Sequence, residues 1–310
     1  MFQATESLIP IILLVALGAG LYKAGFMDAA LRRGLDRFTY WVALPSLFIH
    51  SLSNTDFGAL QAGDMVLVLA ISVIVASLLA AALAFLMGLS RDAFGVFVQL
   101  GFRGNMAFVG LPLIIFAVDQ PGTSGALVAS ALIALAALVP LNNLIAVLAL
   151  YLAQHSLSWR LLRQLSVKVI TNPLIASALI GGVLGWMGWR LPVVIDRPFE
   201  LLGQTAIALA LVSLGGALIE LGIKGRIGLS VVVSGFKVAV VPLIAFGLAY
   251  AWRLPPEQTF VVMVFSACPA ATASYILTTQ LGGDDSLAAA GIIVSTLLSL
   301  ISLAVVLALF

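Results

Sequence analysis

Residues 104–112 read GNMAFVGLP, and residues 266–274 read SACPAATAS. Each stretch interrupts an apolar segment long enough to cross a bilayer, and the two lie at corresponding positions in the two halves of the chain. Helix-breaking residues inside lipid leave backbone N–H and C=O groups unpaired, so such a break is tolerated only where it faces protein or a water-filled cavity. The pattern is typical of secondary transporters and predicts a binding site at the breaks.

Composition independently indicates a membrane protein. Hydrophobic residues make up 62% of the 310 residues, charged residues make up only 9%, and the mean hydropathy is +1.19. A soluble domain carries about 25% charged residues. Glu6 is the sole charged side chain between Met1 and Ser7. The positive region of a cleaved signal peptide is therefore missing, and we expect the first apolar run to remain as a helix.

The chain offers little for cofactor, metal or enzyme chemistry. Its single cysteine, Cys268, excludes an intramolecular disulfide and provides no metal cluster. Residues 122–125 read GTSG, as in some serine hydrolases, but no histidine is securely placed beside Ser124. We therefore expect no cofactor, no metal, no nucleic-acid partner and no enzymatic activity.

Cutting the chain at its charged or Gly/Pro-rich junctions gives ten apolar segments. Most of them reach the ~17 to 25 residues that a membrane span needs. The segments cover residues 7–22, 38–53, 64–88, 93–118, 125–153, 169–189, 199–219, 228–252, 257–280 and 286–310. The sequence thus predicts an all-α polytopic protein with ten transmembrane helices.

The positive charges predict which loops face the cytoplasm. Alternate loops are rich in Lys and Arg, namely Lys23, Arg32, Arg33, Arg37, Arg91, Arg160, Arg163, Lys168, Lys224 and Arg226. The opposite loops hold only Arg190, Arg197 and Arg253. By the positive-inside rule, both termini face outward. We expect a multi-pass protein of a bacterial-type plasma (inner) membrane.

The two halves align with each other. At an offset of 163 residues, Pro10 meets Pro173, Gly18 meets Gly181, and Gly25 meets Gly188. Because each half holds five helices, an odd number, a second half that folds like the first must be inverted in the membrane. We predict a first repeat at residues 1–153, a cytoplasmic linker at 154–168 and a second, inverted repeat at 169–310.

Several motifs resemble the auxin efflux carrier family, whose bacterial members include carriers described as malonate permeases and whose plant members export auxin. The resemblance is carried by GNMAFVGLPL from residue 104, Leu44-Pro45, PLNN from residue 140, KVAVVPL from residue 237 and CPAATASYILTTQLGGDD from residue 268. It implies that segments 4 and 9 are broken helices that cross at mid-membrane, as in bile-acid symporters. The expected break or crossover residues are Gly104, Gly110, Pro112 and Pro269.

Two cations, Arg103 and Lys237, belong to no loop. Each lies about eleven residues past a loop cation, Arg91 or Arg226, which at ~1.5 Å per residue is ~17 Å from the inner face. Charges at that depth are costly and usually functional, and an anionic substrate would supply the missing partner. Alternatively, each cation snorkels to the surface or compensates the negative C-terminal end of a broken half-helix.

Neutral polar residues flank the same region. Asn105, Asn142 and Asn143 provide amide groups suited to a carboxylate, although interhelical hydrogen bonds are the common role of membrane asparagines. Thr272 and Ser274 lie close enough to Pro269 to line the other half of a site, although small hydroxyl residues usually pack between helices. The predicted substrate-binding residues are Arg103, Asn105, Asn142, Asn143, Lys237, Thr272 and Ser274.

These observations predict a secondary transporter of small organic anions, such as malonate or auxin-like acids, working by alternating access as an electrogenic uniporter or exporter. A sodium- or proton-coupled symporter of the bile-acid type is the alternative, although no acidic residue occurs between Glu257 and Asp284 to build a sodium site. A receptor or a pore is a more distant alternative. The small-residue pattern from Gly181 to Gly185 favours close helix packing or a homodimer contact.

Overall fold

The computed structural model describes residues 2–55, 62–118, 125–154, 171–222 and 225–310. The predicted linker after Gln154 and the GTSG turn before Gly125 lie outside these residues. Within the described ranges, regular secondary structure is helical, and the only β-type pairing is one isolated bridge.

The described residues of the first half form seven α-helices. They are α1 (Phe2–Lys23), α2 (Ala29–Phe38), α3 (Leu44–Ser53), α4 (Gly63–Leu86), α5 (Arg91–Phe102), α6 (Leu111–Val118) and α7 (Gly125–Gln154). Helix α2 occupies part of what the sequence suggested was a loop. It begins where the Asp28 carboxylate accepts a hydrogen bond from the Leu31 N–H at 2.7 Å, an arrangement that satisfies one free donor of the first turn.

The described residues of the second half also form seven α-helices. They are α8 (Pro173–Trp186), α9 (Val193–Leu221), α10 (Ile227–Gly235), α11 (Val241–Ala251), α12 (Pro256–Ala267), α13 (Ala273–Leu281) and α14 (Asp285–Leu309). Asn172 and Asp284 cap α8 and α14 by accepting from the N–H groups of Leu174 and Leu287, at 2.9 and 3.0 Å. Each predicted apolar segment coincides with one helix or with an interrupted helix.

Length and composition mark several of these helices as membrane spans. Five described helices are long and apolar enough to cross a bilayer: Gly63–Leu86, Ala126–Gln154, Val193–Leu221, Ile227–Ala251 and Asp285–Leu309. The apolar stretches Leu8–Lys23, Met106–Ala117 and Pro173–Trp186 are shorter. The chain is therefore a multi-pass, all-helical membrane protein.

Three interrupted helices contain a π turn directly before a Leu-Pro or Val-Pro pair. The turns are Thr39–Ala43, Met106–Gly110 and Phe236–Val240. After each turn, an N–H bonds to a carbonyl five residues back: Leu44 to Thr39, Leu111 to Met106, and Val241 to Phe236. A proline ring clashes with the carbonyl four residues earlier, and the wider π turn relieves that clash without ending the helix.

The helices form two packed groups. In group A, α1 packs along α9, α2 also packs on α9, and α3 packs against α8 and α9. In group B, α4, α5 and α7 pack together, α11 joins α4 and α12, and α14 packs against α10, α12 and α13. The two groups meet through less extensive contacts, which include α1 with α14 and α3 with α7.

Glycines allow unusually close packing within group A. A Cβ atom on Gly18 would lie 1.9 Å from the Val212 carbonyl oxygen, and one on Gly215 would lie 2.0 Å from the Val15 carbonyl oxygen. On the neighbouring pair, a Cβ on Gly181 would lie 2.9 Å from the Phe48 carbonyl oxygen. Helices α1 and α9, and likewise α3 and α8, therefore touch through their backbones.

Candidate functional site

Two breaks, one in each half of the chain, meet at the centre of group B. The first break (residues 103–105) follows α5, and the second break (residues 268–272) follows α12. The Asn105 N–H donates to the Pro269 carbonyl at 2.8 Å, and the Ala271 N–H donates to the Arg103 carbonyl at 3.0 Å. These bonds form an antiparallel bridge between Gly104 and Ala270. Each break thus satisfies backbone groups that the other break exposes.

A cavity of about 370 Å³, the central cavity, lies between group A and group B beside the bridged breaks. Group A lines it with Arg32, Asp36, Tyr40, Leu174, Ala217 and Leu221. Group B lines it with Arg103, Gly104, Asn105, Met106, Ala107, Phe108, Val139, Asn142, Asn143, Ala271, Thr272, Ala273, Tyr275 and Ile276. The volume fits a small organic molecule rather than an ion alone.

Unpartnered polar atoms belong to the cavity wall at the first break. The Arg103 side chain is buried, and its Nη2 donates to the Asn143 amide oxygen. Among the described residues, Arg103 Nη1, Asn105 Nδ2 and both amide atoms of Asn142 find no hydrogen-bond partner. Buried polar atoms are nearly always paired in folded proteins, so a cluster of unpaired donors indicates a place where a ligand supplies the acceptor.

The N-terminal ends of two half-helices also contribute partial positive charge to the cavity wall. Met106, Ala107 and Phe108 begin the continuation of the first broken helix, and Thr272 and Ala273 begin that of the second. All five line the central cavity. The first N–H groups of a helix have no acceptor within the helix, and they carry partial positive charge.

Most predicted substrate-binding residues line the central cavity, and two do not. Arg103, Asn105, Asn142, Asn143 and Thr272 lie in its wall. Ser274 is fully buried outside that wall, and its carbonyl accepts from the Gln99 side-chain amide at 3.2 Å. Lys237 is also buried and lines a separate small cavity.

The four expected crossover residues occupy different places. Gly104 and Pro269 form part of the bridged breaks. Gly110 ends the π turn one turn later, and Pro112 lies in the first turn of α6. A Cβ atom on Gly110 would lie 2.7 Å from the Phe265 ring and 2.8 Å from the Cys268 sulfur. Gly110 therefore lets the two broken helices approach each other.

A charged cluster that the sequence did not predict lies at one end of the central cavity. Arg32, Asp36 and Tyr40 are spaced four residues apart, which places them on one face of a helix. Arg32 pairs with Asp36 at 2.7 Å and also with Glu220. Asp36, which precedes the predicted segment 38–53, accepts from the Ser213 hydroxyl. Burial raises the pKa of the Asp36 carboxyl above its ordinary value, although Ser213 and Arg32 oppose the shift.

A second polar contact lies within group A, at the C-terminal end of α3. The His50 ring nitrogen Nδ1 lies 2.8 Å from the Asp196 carboxylate, and the Asn54 amide lies 3.4 Å from the same carboxylate. This contact ties the end of α3 to the start of α9. Its residues do not line the central cavity.

Apolar helices around a polar central cavity are the arrangement that a membrane transporter requires. The family model described as "Membrane transport protein" matches residues 3–307. The chain therefore belongs to this family of auxin-efflux-carrier-like transporters, and the resemblance carried by its motifs is confirmed.

Two relatives illustrate the similarity. A protein of Methanothermobacter thermautotrophicus described as an uncharacterized transporter is 24% identical over 306 residues, covering 97% of this chain and 96% of that protein. A Bacillus subtilis protein described as the uncharacterized sodium-dependent transporter YocS is 40% identical over 60 residues, 19% of each chain.

Proposed function

We propose that this protein is a secondary transporter of small organic anions, and that it binds a carboxylate at the bridged breaks. One observation carries the proposal: Arg103 is a buried cation whose Nη1 lacks a partner among the described residues, and it lines a cavity of about 370 Å³. A guanidinium group binds a carboxylate through two parallel hydrogen bonds, which gives both energy and orientation. Arg103 and the amides of Asn105 and Asn142 are the proposed contacts.

The charge balance supports an anion over a neutral or cationic substrate. The ion pairs among the described residues involve Arg32, Arg33, His50 and Arg226, and none involves Arg103. Among the described residues of the cavity wall, the one carboxylate is that of Asp36, and it is already paired with Arg32. Since an uncompensated charge inside a membrane is costly, a bound anion would stabilise the site.

Alternating access would follow from relative movement of group A and group B, which together enclose the central cavity. We infer ten spans in two inverted five-helix repeats. Backbone features at the offset found in the sequence support this inference. Gly25 and Gly188 both have positive φ angles, 74° and 66°, just after the first helix of each half. Gly18 and Gly181 both touch the backbone of a helix from the other half.

The charged loops support an inward-facing state. The central cavity extends towards Arg32 and Leu221, which adjoin the loops predicted to be cytoplasmic by the positive-inside rule. With both termini outside, an anion in this cavity would exchange with the cytoplasm of a bacterial-type cell. The contact between His50 and Asp196 would lie at the outer, closed end.

The proposed energy source is the membrane potential. An inside-negative potential drives a monovalent anion outward by ~2.3 kcal/mol per 100 mV, roughly a 50-fold concentration ratio. Electrogenic uniport therefore suffices for export. The local similarity to a protein described as sodium-dependent favours one alternative, a sodium-coupled symporter.

Counterflow in proteoliposomes tests this proposal. Radiolabelled carboxylates, including malonate-like dicarboxylates and aromatic acids, are offered to vesicles preloaded with the same unlabelled acid. A saturable, counterflow-competent flux is expected for at least one acid, whereas channel-like conductance or the absence of flux for every acid would contradict the proposal.

Solid-supported-membrane currents then separate uniport from symport. Substrate jumps at fixed pH are expected to give currents of the same size with and without sodium. A sodium-dependent or electroneutral signal would exclude the uniport and favour the symporter.

A further inference from the structure

Lys237 lies against the breaks but outside the central cavity. It sits in the π turn between α10 and α11 and is only 1% exposed. Its Nζ donates to the Ser266 carbonyl at 2.6 Å, in the last turn of α12. Nζ also lies 3.5 Å from the position that a Cβ on Gly104 would take. The ammonium group is therefore adjacent to both breaks.

A small cavity of about 10 Å³ lies beside Lys237. Its wall comprises Leu69, Ser72, Val73, Phe102, Gly104, Met106, Asn142, Lys237, Val241, Phe265 and Ser266. That volume is at the lower limit for one water molecule. Three residues, Gly104, Met106 and Asn142, line both this cavity and the central cavity, so they form the partition between the two.

The two cavities are lined by opposite ends of the half-helices. The central cavity, and not the small one, is lined by first-turn residues of the second half of each broken helix, Ala107 and Thr272. The small cavity is lined by residues that end the first half of each, Phe102 and Ser266. Helix N-termini carry partial positive charge and C-termini partial negative charge. The electrostatics therefore favour an anion in the central cavity and a cation in the small cavity.

We propose that the small cavity is a monovalent cation site, and that the tethered ammonium of Lys237 fills it permanently. The Ser266 carbonyl at the end of α12 accepts from Nζ, and the Ser72 hydroxyl and the Asn142 amide line the same cavity without bonding to Nζ. These groups provide oxygen atoms for a small cation. Within the described residues, neither amide atom of Asn142 has a partner. Lys237 thus takes the place of a dissolved cation, and native transport needs none.

Two substitutions of Lys237 distinguish the role of its positive charge from the role of the side chain that holds the charge in place. Lys237→Ala removes the side chain beyond Cβ, leaving room for Na⁺, methylammonium or ethylammonium beside Ser266. Lys237→Gln removes the charge but fills the space and keeps an N–H that can bond to the Ser266 carbonyl. Lys23→Ala, at the exposed end of α1, is the matched control for a lost lysine.

Thermal unfolding of the detergent-purified proteins provides a test that is independent of substrate. Each cation is titrated against equal concentrations of the bulky N-methylglucamine ion. Lys237→Ala is expected to show a saturable rise in Tm of about 2 °C or more, as binding to the folded state requires. Wild type, Lys237→Gln and Lys23→Ala are expected to show none. A Lys237→Ala protein that no cation stabilises would overturn the proposal.

Counterflow of the anion provides a second test, which rests on the proposed transport function. Without a small cation, Lys237→Ala and Lys237→Gln are expected to transport on the order of tenfold more slowly than wild type. Ethylammonium or Na⁺ should restore Lys237→Ala but not Lys237→Gln. Wild-type rates in Lys237→Gln would overturn the proposal, even if Lys237→Ala cannot be purified. Stabilisation of Lys237→Ala without anion transport by wild type would leave the cation site intact and disprove the substrate class.

Discussion

The first and second breaks have similar backbones and very different side chains. Each ends a half-helix, and each donates one N–H to a carbonyl of the other across the bridge between Gly104 and Ala270. The first break reads Arg-Gly-Asn, whereas the second reads Cys-Pro-Ala-Ala-Thr. The shared backbone is in line with the proposed repeats, and the unshared side chains lead us to predict that binding chemistry is concentrated in the first half of the chain.

The wall of the central cavity extends this contrast to the whole chain. Within the part of the chain that the structure describes, the charged and amide side chains of this wall all come from residues before 154: Arg32, Asp36, Arg103, Asn105, Asn142 and Asn143. The second half contributes the hydroxyls of Thr272 and Tyr275 and otherwise apolar groups. The predictions below test whether function follows this division.

Replacing Arg103 should have the largest effect. A hydrogen bond to a charged group contributes about 1.5–3 kcal/mol, so Arg103→Gln is expected to weaken anion binding by on the order of 100-fold. Neutral analogues of the same shape should lose far less. Arg103→Lys keeps the positive charge but cannot form two parallel hydrogen bonds to a carboxylate, so its loss of anion binding should be intermediate. The measurement is the substrate concentration dependence of counterflow, and equal losses for anions and neutral analogues would show that Arg103 has a structural role.

The close approach of the two broken helices should be the next most sensitive feature. Gly110→Ala places a methyl group within 2.8 Å of Phe265 and Cys268, and such overpacking is expected to cost about 1–3 kcal/mol of stability. The control is Gly247→Ala, since a Cβ there meets nothing within 4 Å. Scanning fluorimetry should show a lower Tm for Gly110→Ala only. Equal Tm values in the two variants would argue against tight packing at the crossover.

Asn105→Ala should reduce transport by about tenfold. The change removes a buried amide donor that lacks a partner among the described residues. An unmet hydrogen bond to the ligand costs about 1–3 kcal/mol. The protein should remain folded, since the Asn105 side chain makes no bond to another described residue through Nδ2. Initial uptake rates and elution as a single monodisperse peak are the measurements. Unchanged kinetics in a folded variant would count decisively against the first break as the site.

The corresponding change at the second break should have a smaller effect. Thr272→Val keeps the shape and removes only a neutral hydroxyl, so we expect a loss of about threefold or less. The same uptake assay applies, run beside Asn105→Ala. A loss as large as that of Asn105→Ala would mean that both repeats carry binding chemistry.

Replacing Asp36 should have the smallest effect, a change in how the Tm depends on pH. Because burial raises its pKa above 3.8, the group stabilises the folded protein fully below the unfolded pKa, and this contribution is lost as pH rises through the folded pKa. Acidification from about pH 7 to about pH 4 should therefore raise the Tm of wild type relative to Asp36→Asn. The measurement is the Tm difference between the two proteins at each pH, and a constant difference would refute the shift.

The sequence predicted the fold better than the site. Apolar runs and charged loops located the helices, and the Gly-Asn and Pro signals located both breaks within a residue or two. Distance along the chain gives the depth of a residue but not its direction around the helix. For this reason the sequence does not distinguish Arg103 from Lys237, although the two residues line different cavities.

The charged cluster at one end of the central cavity is not predicted from the sequence, for a different reason. Because Arg32 and Asp36 precede an apolar segment, their charges alone indicate only a loop. Their spacing of four residues with Tyr40 was the available signal, since it places all three on one helical face. Their partners Ser213 and Glu220 come from a distant part of the chain, and a single sequence carries no information on that pairing.

The π turns impose a constraint on insertions and deletions. A π turn takes in one more residue than an α turn, so deleting one residue from Met106–Gly110 would restore α-helical spacing. The ring of Pro112 would then clash with the carbonyl four residues earlier, and Leu111–Val118 would rotate by roughly 100° about the helix axis. Length in these turns should therefore be less tolerant of change than residue identity, and homologous chains should accept substitutions there far more readily than gaps.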